Sequence, residues 1–377
     1  MPYSNTESPK NFQVFHQHFT TLEEPRRTNK GRFFYPLEEI LFLSISAVVS
    51  GSDSWTSICT FGQIKLDWLR KFYPYKNGIP SHDVLGKLFA RLDHKEFAKC
   101  FSSWVNSLSE LTEGEVVAVD GKTIRRSGDG ALGKSPLHVV SAYASGNRVC
   151  LGQETVSEKS NEITAIPELL KVLDIKGCTI TIDAMGCQKK IAKQIMDNKA
   201  NYILMVKDNQ KELKEQVEHI FTITAGTSDT QYDVGHGRTE IRVCKVINDL
   251  RFLDVSEEWH GLKSLVKVES ERCDKKTGKT SHQDRYYISS LDVDAEYINN
   301  AVRQHWAIEN NLHWSLDVIF KEDESLKKKG NSALNYGMMA KMALILIEKE
   351  KTPKMSKPSK RYQAALDDNF RAKILNC

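Results

Sequence analysis

Three carboxylates, Asp120, Asp183 and Glu309, stand in settings where an acid does chemistry. In VVAVDGKTIRR, residues 116–126, a short apolar run rich in β-branched residues ends on Asp120, then turns through Gly121 into the cations Lys122, Arg125 and Arg126. A carboxylate closing a buried strand is costly unless a cation meets it. A divalent metal would serve, and so would the neighbouring Lys and Arg side chains. The bland alternative is an aspartate capping a turn before glycine. CTITID, residues 178–183, repeats the pattern with Asp183 at its end. Glu309 lies in RQHWAIENNLHWSLDVIF, which places Trp306, Glu309, Leu312 and His313 or Leu316 along adjacent helical turns. Three acids from two strand ends and a helix suit two hard divalent cations, which take oxygen ligands and keep positions open for water and phosphate. Such a site attacks phosphodiesters: one ion activates a water or a 3′ hydroxyl, and the other stabilises the leaving oxygen. The expected cofactor is Mg2+, with Mn2+ as a substitute. The signatures of zinc proteases, nucleophile elbows, P-loops and dinucleotide-binding turns are absent from the sequence.

The elements that must position these acids change class along the chain. Residues 1–32 hold few apolar clusters and several basic residues, and read as a flexible arm. Residues 33–111 are helical in pattern: Pro36 opens PLEEILFLSISAVVSG, and Ser81 or Asp83 caps a helix with Val84, Leu85, Leu88, Phe89 and Leu92 at helical spacing. This N-terminal helical unit is of a size that carries DNA contacts, with plain packing or dimerisation as the alternative. Residues 112–221 then give three strands, a helix, a strand, a helix and a strand. That order is the layout of a ribonuclease H-like α/β core, with Asp120 and Asp183 emerging side by side if their strands are neighbours. Residues 222–293 read as a β-rich insertion with KKTGK as a hairpin tip. Residues 294–348 return to helix and complete the core, and residues 349–377 read as a mobile basic tail.

With 377 residues, the chain has material for two or three units. The net charge is only +4, so attraction to a polyanion rests on local patches. Eight scattered cysteines form no CxxC pair, which favours reduced thiols over zinc or disulfides. The most apolar run, residues 40–49, falls well short of the roughly 20 residues that a membrane-spanning helix needs. The expectation is a cytoplasmic protein without membrane contact.

Longer fragments carry a resemblance. YPLEEILFLSISAVVSG, FGQIKLDWLRKFYPYKNGIPSHDVLGKLFARLD, EVVAVDGKTIRRS, LHVVSAYAS, SEKSNEITAIPELL, ITIDAMGCQ, NYILMVKDNQ, GHGRTEIR and HWAIENNLHWSLDVIFKED together resemble the H-repeat-associated family of bacterial insertion-sequence DDE transposases, over nearly everything from Phe12 to Glu348. The resemblance implies a metal-dependent transposase that cleaves and transfers strands at transposon ends. Asp120, Asp183 and Glu309 match the catalytic and metal-binding acids. The implied partners are double-stranded DNA, as terminal inverted repeats and target, and a second copy of the chain in the DNA complex, with the protein associated with the nucleoid when bound. The alternative is a catalytically silent DNA-binding protein that retains the fold. Around Glu309 the broader superfamily's Tyr, Arg and Lys pattern is not kept: His305 precedes it by four, and no Lys follows at seven. Candidate DNA contacts are Lys122, Arg125, Arg126, Arg238 and Trp306. Trp306 and Trp314 are also natural core residues, Gly235 to Arg238 is equally a hairpin turn, and His138 reads as a packed strand histidine. Asp317 is placed to support the site from behind, and Asp323 reads as part of a solvated acidic patch.

Overall fold

The structure, a computed structural model, describes residues 17–26, 34–108, 111–129, 133–156, 161–235 and 237–375. Most of the arm expected at residues 1–32 lies outside them, although Phe19 and Leu22 are buried in the core. The organising layer is a nine-stranded mixed sheet in the order β3-β2-β1-β4-β5-β9-β8-β7-β6. Strands β1 (Val116–Ile124), β4 (Thr179–Ile182) and β5 (Asn201–Val206) run parallel. Strands β2 (Leu137–Ala144) and β3 (Val149–Val156) pair antiparallel on one side. On the other side β9 (Thr280–Ser289), β8 (Ser264–Asp274), β7 (Arg238–Ile247) and β6 (Thr227–Gly235) continue the same sheet as antiparallel neighbours. The β-rich region is therefore built onto the core sheet through β5 and β9.

One local expectation changes. Strand β1 does not stop at Asp120 but runs on through Gly121 to Ile124, because β2 keeps pairing with it: Asp120 lies opposite Ser141 and Ile124 opposite Leu137. What ends is the parallel pairing with β4, whose last matched residues are Val119 and Ile182. Asp120 and Asp183 are the next residue on each strand. Neighbouring strands lie about 4.8 Å apart, so the two acids leave the sheet side by side.

Strand alternation sorts the side chains onto two faces. Ile180, Ile182, Tyr202 and Leu204 join one core with α6 (Glu162–Val172), α7 (Lys189–Asp197) and α8 (Lys211–Ile223). Ile203, Met205 and residues of β7, β8 and β9 pack against Ile298, Ala301 and Val302 of α9 (Ala295–His305) on the opposite face. The helices of residues 33–111 belong to the first core rather than to one of their own. In α1 (Leu37–Val49) every residue but Glu38 is buried, and it packs on α11 (Ser332–Lys349), itself buried from Ser332 to Ile347. Shorter helices α2 (Trp55–Ile64), α3 (Leu66–Leu69), α4 (His82–Arg91) and α5 (His94–Leu108) surround this pair.

The mobile basic tail is not found. Residues 349–375 fold into α12 (Lys357–Leu366) and α13 (Asp368–Leu375), with Ala364, Phe370 and Ile374 in the core. Three of their cations, Lys360, Arg361 and Arg371, are buried. Arg361 donates to the Val48 carbonyl at 3.0 Å, Lys360 to the Ile347 carbonyl at 3.1 Å, and the fully buried Arg371 guanidinium lies 3.9 Å from the Trp68 ring centre. These side chains satisfy carbonyls at helix ends and stack on aromatics, which is why counting their charge misjudges the segment.

Candidate active site

Asp183 is the first residue past β4 and caps a single tight turn, Ala184–Gly186, its Oδ1 accepting the Met185 N–H at 3.0 Å. The following loop is tied from β5's end: Asn209 donates to the Ala184 carbonyl at 2.7 Å and Gln210 to the Cys187 carbonyl at 2.9 Å. The KDNQ motif thus braces the loop that carries Asp183.

Glu309 arrives by another route. The helical stretch is not continuous: α9 ends at His305, a π-turn spans Ile308–His313, and α10 (Trp314–Val318) follows. Widened turns of this kind gather at functional sites, because they redirect side chains without ending the helix. Alternation on β4 then pins α9 in place. Thr179 Oγ1 lies 2.9 Å from the Tyr297 hydroxyl and Thr181 Oγ1 2.9 Å from His305 Nδ1, while Tyr297 also donates to the Gly114 carbonyl at 3.1 Å. Burial pushes the His305 imidazole down to about 4, against the pull of Asp183, so it is neutral at physiological pH.

The three acids meet electrostatically. The Asp120 carboxyl is pushed up to about 7, first by burial and then by Asp183, Glu309 and Glu162, with the Gly121 N–H pulling the other way. Two of the cations that could neutralise Asp120, Lys122 and Arg125, are engaged elsewhere. Lys122, expected at the DNA rim, is only 12% exposed and is turned into Asp317, Glu322 at 2.5 Å and Asp323 at 3.7 Å. In this structure it is a buried counter-ion of these three acids. Its place two residues beyond Asp120 fixes the strand face but not the partner. Arg125 is exposed, yet its Nε lies 3.2 Å from Asp323 and its N–H is 3.1 Å from the same carboxylate. Glu322 and Asp323 therefore form no solvated patch: they are the far wall of an ion network that ties β1 to the segment after α10. Asp317 joins the same network through Lys122.

His313 Nδ1 lies 3.5 Å from Asp120 Oδ2. Burial, with Lys341 and Lys122, pushes its imidazole down to about 4, so it brings no positive charge to Asp120 at neutral pH. No group of three or more His, Cys, Asp or Glu among the described residues is drawn tightly enough to hold a metal as it stands. The donor chemistry nonetheless fits a hard divalent ion. The predicted donors are all carboxylate oxygens, and Asp120's charge is opposed by its acidic neighbours and met by no Lys or Arg among the described residues. Uncompensated acids repel one another, and a cation between them removes that penalty.

The remaining candidates scatter. Arg126 is exposed in the turn Arg125–Ser127. Arg238 is exposed at the β6–β7 hairpin, where it pairs with Gly235. This hairpin and the β8–β9 tip, with exposed Lys275, Lys276 and Lys279, project past the strand end that carries Asp183. Met205, level with Asp183, pairs with Tyr287, seven residues into β9, so the tip stands roughly 20 Å beyond at about 3.3 Å per residue. Trp306 lies under the Arg285 guanidinium, 5.0 Å from its ring centre, and edge-on to His305, while Trp314 is 54% exposed. His138 is not a plain packed histidine. Its Nε2 lies 2.6 Å from Glu162 Oε1 and its Nδ1 2.9 Å from Thr123 Oγ1. Glu162 was missed by sequence reasoning. The one signal for it was its place in SEKSNEITAIPELL, at the start of a helix.

Comparisons with known proteins give a consistent picture. Residues 111–346 match the family described as Transposase DDE domain, and residues 16–105 match that described as DDE_Tnp_1-associated. A protein of Escherichia coli O157:H7 named as a transposase, YncI, is 43% identical over 93% of this chain and 92% of its own. An H repeat-associated protein of Escherichia coli K12 named as a transposase, YhhI, is 38% identical over 95% of this chain and 97% of its own. Among solved structures, a piggyBac transposase synaptic complex with hairpin DNA aligns over 98% of this chain and 82% of that one, at 14% identity and a TM-score of 0.46, a likeness too slight to argue from.

Proposed function

Since the chain belongs to the transposase DDE domain family, we propose that Asp120, Asp183 and Glu309 are its catalytic carboxylates, on a ribonuclease H-like core formed by β1 to β5. The substrate is double-stranded DNA, the terminal inverted repeats of an insertion sequence and then a target, and the acting unit on DNA is a homodimer. No helix among the described residues is long and apolar enough to cross a membrane, in keeping with a protein that works at the nucleoid.

The register supports this reading most directly: the last β1–β4 pair, Val119 with Ile182, leaves Asp120 and Asp183 adjacent. The Thr179 and Thr181 bonds to α9 bring the π-turn bearing Glu309 to the same strand end. These three acids would hold Mg2+ or Mn2+, as two ions, which when bound supply Lewis acidity for hydrolysis and strand transfer. The protein's own part is positional. Asp183 is fixed by its turn, Glu309 by the bracing of α9, and Asp120 by strand pairing on its β2 side. Neutral His313 beside Asp120 adds no competing charge. The β6–β7 and β8–β9 tips, with Arg238, Lys275, Lys276 and Lys279, offer phosphate contacts above the site, joined by Arg125 and Arg126 at its rim and Trp306 beneath Arg285.

Asp183→Asn and Glu309→Gln test the assignment on DNA carrying the flanking repeats. Both variants should fold and bind as the parent does, since dispersed cations supply affinity. Mg2+-dependent nicking should fall by about a hundred- to a thousandfold, on the scale of lost electrostatic stabilisation. A folded variant that cuts at the parent rate would overturn the reading.

A further inference from the structure

Two adjoining cavities, of about 400 and 370 Å³, open where the segment after α10 passes the starts of α2, α4 and α11. Trp55, His82, Leu326 and Lys327 line both, so the two form one trough. Its charge is positive. Five lysines border it, Lys87, Lys321 and Lys327 to Lys329, against the acids Asp53, Asp83 and Glu324. Two of those acids are already engaged: Asp53 lies 3.6 Å from Lys321, and Asp83 lies 3.6 Å from His82. Among the described residues no carboxylate comes within ion-pair distance of Lys87, Lys327, Lys328 or Lys329.

Lys327 is the buried member. It is only 8% exposed, donates to the Asp53 carbonyl at 2.6 Å and lies over the Tyr336 ring, 3.6 Å from its centre. A carbonyl and a ring hold the ammonium without cancelling its charge. Burial lowers it only to about 8, so it stays largely protonated at neutral pH. The helix starts add to the field, and α11 does so unopposed, with no side-chain cap at Asn331 and no acid in its first turn. The trough also adjoins the active site's supporting network. Glu322 and Asp323 grip Lys122 of β1 and Arg125 just after it, while their neighbours Lys321, Glu324 and Ser325 line the trough.

Resting on the reading of DNA as substrate, we propose that this trough binds the sugar–phosphate backbone of the duplex beside the cut, with Lys87, Lys328 and Lys329 meeting phosphates and Lys327 as the buried charge beneath them. Phosphates follow one another at about 3.4 Å of helix axis along each strand, which suits cations spread along a trough better than a single small anion would. Leu326, 71% exposed, gives a deoxyribose an apolar surface.

The test measures binding of the full-length chain to duplex DNA carrying a flanking repeat, by fluorescence anisotropy in EDTA over a range of salt. Lys87→Gln/Lys329→Gln changes two exposed residues and should melt like the parent. Its slope of log affinity against log salt should be shallower by about 2, one for each lost phosphate contact. Lys171→Gln/Lys193→Gln, the same charge change on α6 and α7, should keep the parent's slope. Equal slopes for the trough pair and the parent would overturn the inference, and so would an equal loss in the α6–α7 pair, the mark of a general charge effect. Single methylphosphonates then locate the contact: at least one position near the cut should cost the parent affinity and cost the trough pair nothing. If every position costs both proteins alike, the inference falls. Inorganic phosphate that raises the parent's melt but not the trough pair's, with DNA affinity equal in both, would assign the trough to a small anion and overturn it as well. Asp183→Asn, assayed beside them, should lose nicking and keep the parent's slope. If it nicks normally, the three-carboxylate reading fails while the trough is judged on its own slope, and a parent with no affinity for the duplex fails the reading of DNA as substrate itself.

Discussion

Asp120 carries its charge at a cost that pH should expose. Its carboxyl is pushed up to about 7 from an ordinary 3.8, by burial and then by Asp183, Glu309 and Glu162. A folded-state value above the unfolded one means that the native protein binds this proton more tightly. Stability is therefore lost as pH rises from about 4 to about 7, and the whole penalty is carried above that. Asp120→Asn has no such charge. In EDTA it should melt with the parent near pH 4 and outlast it at pH 8 by about 1 to 3 kcal/mol, a fraction of the unscreened shift. Melting curves that stay parallel across that range would count against a strained acid. Saturating Mn2+ should reverse the order, since only the parent keeps the full ligand set. At this scale Asp120 and Asp183 stand out in the sequence because each ends an apolar strand run, and Glu309 because it lies in a stretch of helical spacing. Lys122 was misjudged because its partners, Asp317 and Glu322, lie about 200 residues away. Glu162 was overlooked, and His138 read as a packed histidine, for a similar reason: their meeting depends on the missing side chain of Gly121, which no periodicity reveals.

Among the elements, the brace between β4 and α9 decides where Glu309 stands. Thr181→Val keeps the shape and β-branching but removes the bond to His305. It should cost about 1 kcal/mol of stability and a larger share of activity, about tenfold in nicking rate. Equal nicking by parent and variant would show that the π-turn holds Glu309 unaided. The loop between α10 and α11 makes a second test. Lys327 there is buried, with its Nζ 3.6 Å from the Tyr336 ring centre and 5.3 Å from that of Trp55, and donates to the Asp53 carbonyl at 2.6 Å. Burial pushes it down to about 8 from 10.5, with Asp53 pulling back. The unfolded chain holds this proton more tightly, so stability should rise as pH climbs from about 8 to about 10.5. Relative to Lys327→Met, the parent should gain up to about 3 kcal/mol over that range in paired melts. Strands β1 to β5 and β7 to β9 were readable from their apolar runs and turn residues. Strand β6, TSDTQYDVG, was not, because an edge strand with polar residues on both faces shows little alternation of hydropathy. The π-turn was equally hidden, since its apolar residues keep an ordinary helical spacing.

For the molecule as a whole, the two ends of the chain complete each other. Helix α1 packs against α11, α12 and α13, and Ser50 donates to the Ala364 carbonyl at 3.3 Å. Removing residues 350–377 should therefore abolish folding and not merely lower DNA affinity. The truncated chain is expected to lose its cooperative melt and expose apolar surface to a hydrophobic dye. A truncated protein that melts like the parent would return the segment to the status of a tail. The sequence misled here because lysines and arginines were taken as solvent-facing, while burial of Arg361 and Arg371 depends on a carbonyl and a ring far away in the chain.

That interlocking sets a clock on biosynthesis. Val48 is synthesised 313 residues before the Arg361 that binds its carbonyl, an interval of roughly 15 to 60 s at bacterial elongation rates. Through that interval α1, apolar on nearly every side, has no α11 to cover it. The long sequence separation of these contacts also slows the search once the chain is free. Completion of the core around α1 thus waits until translation has nearly finished.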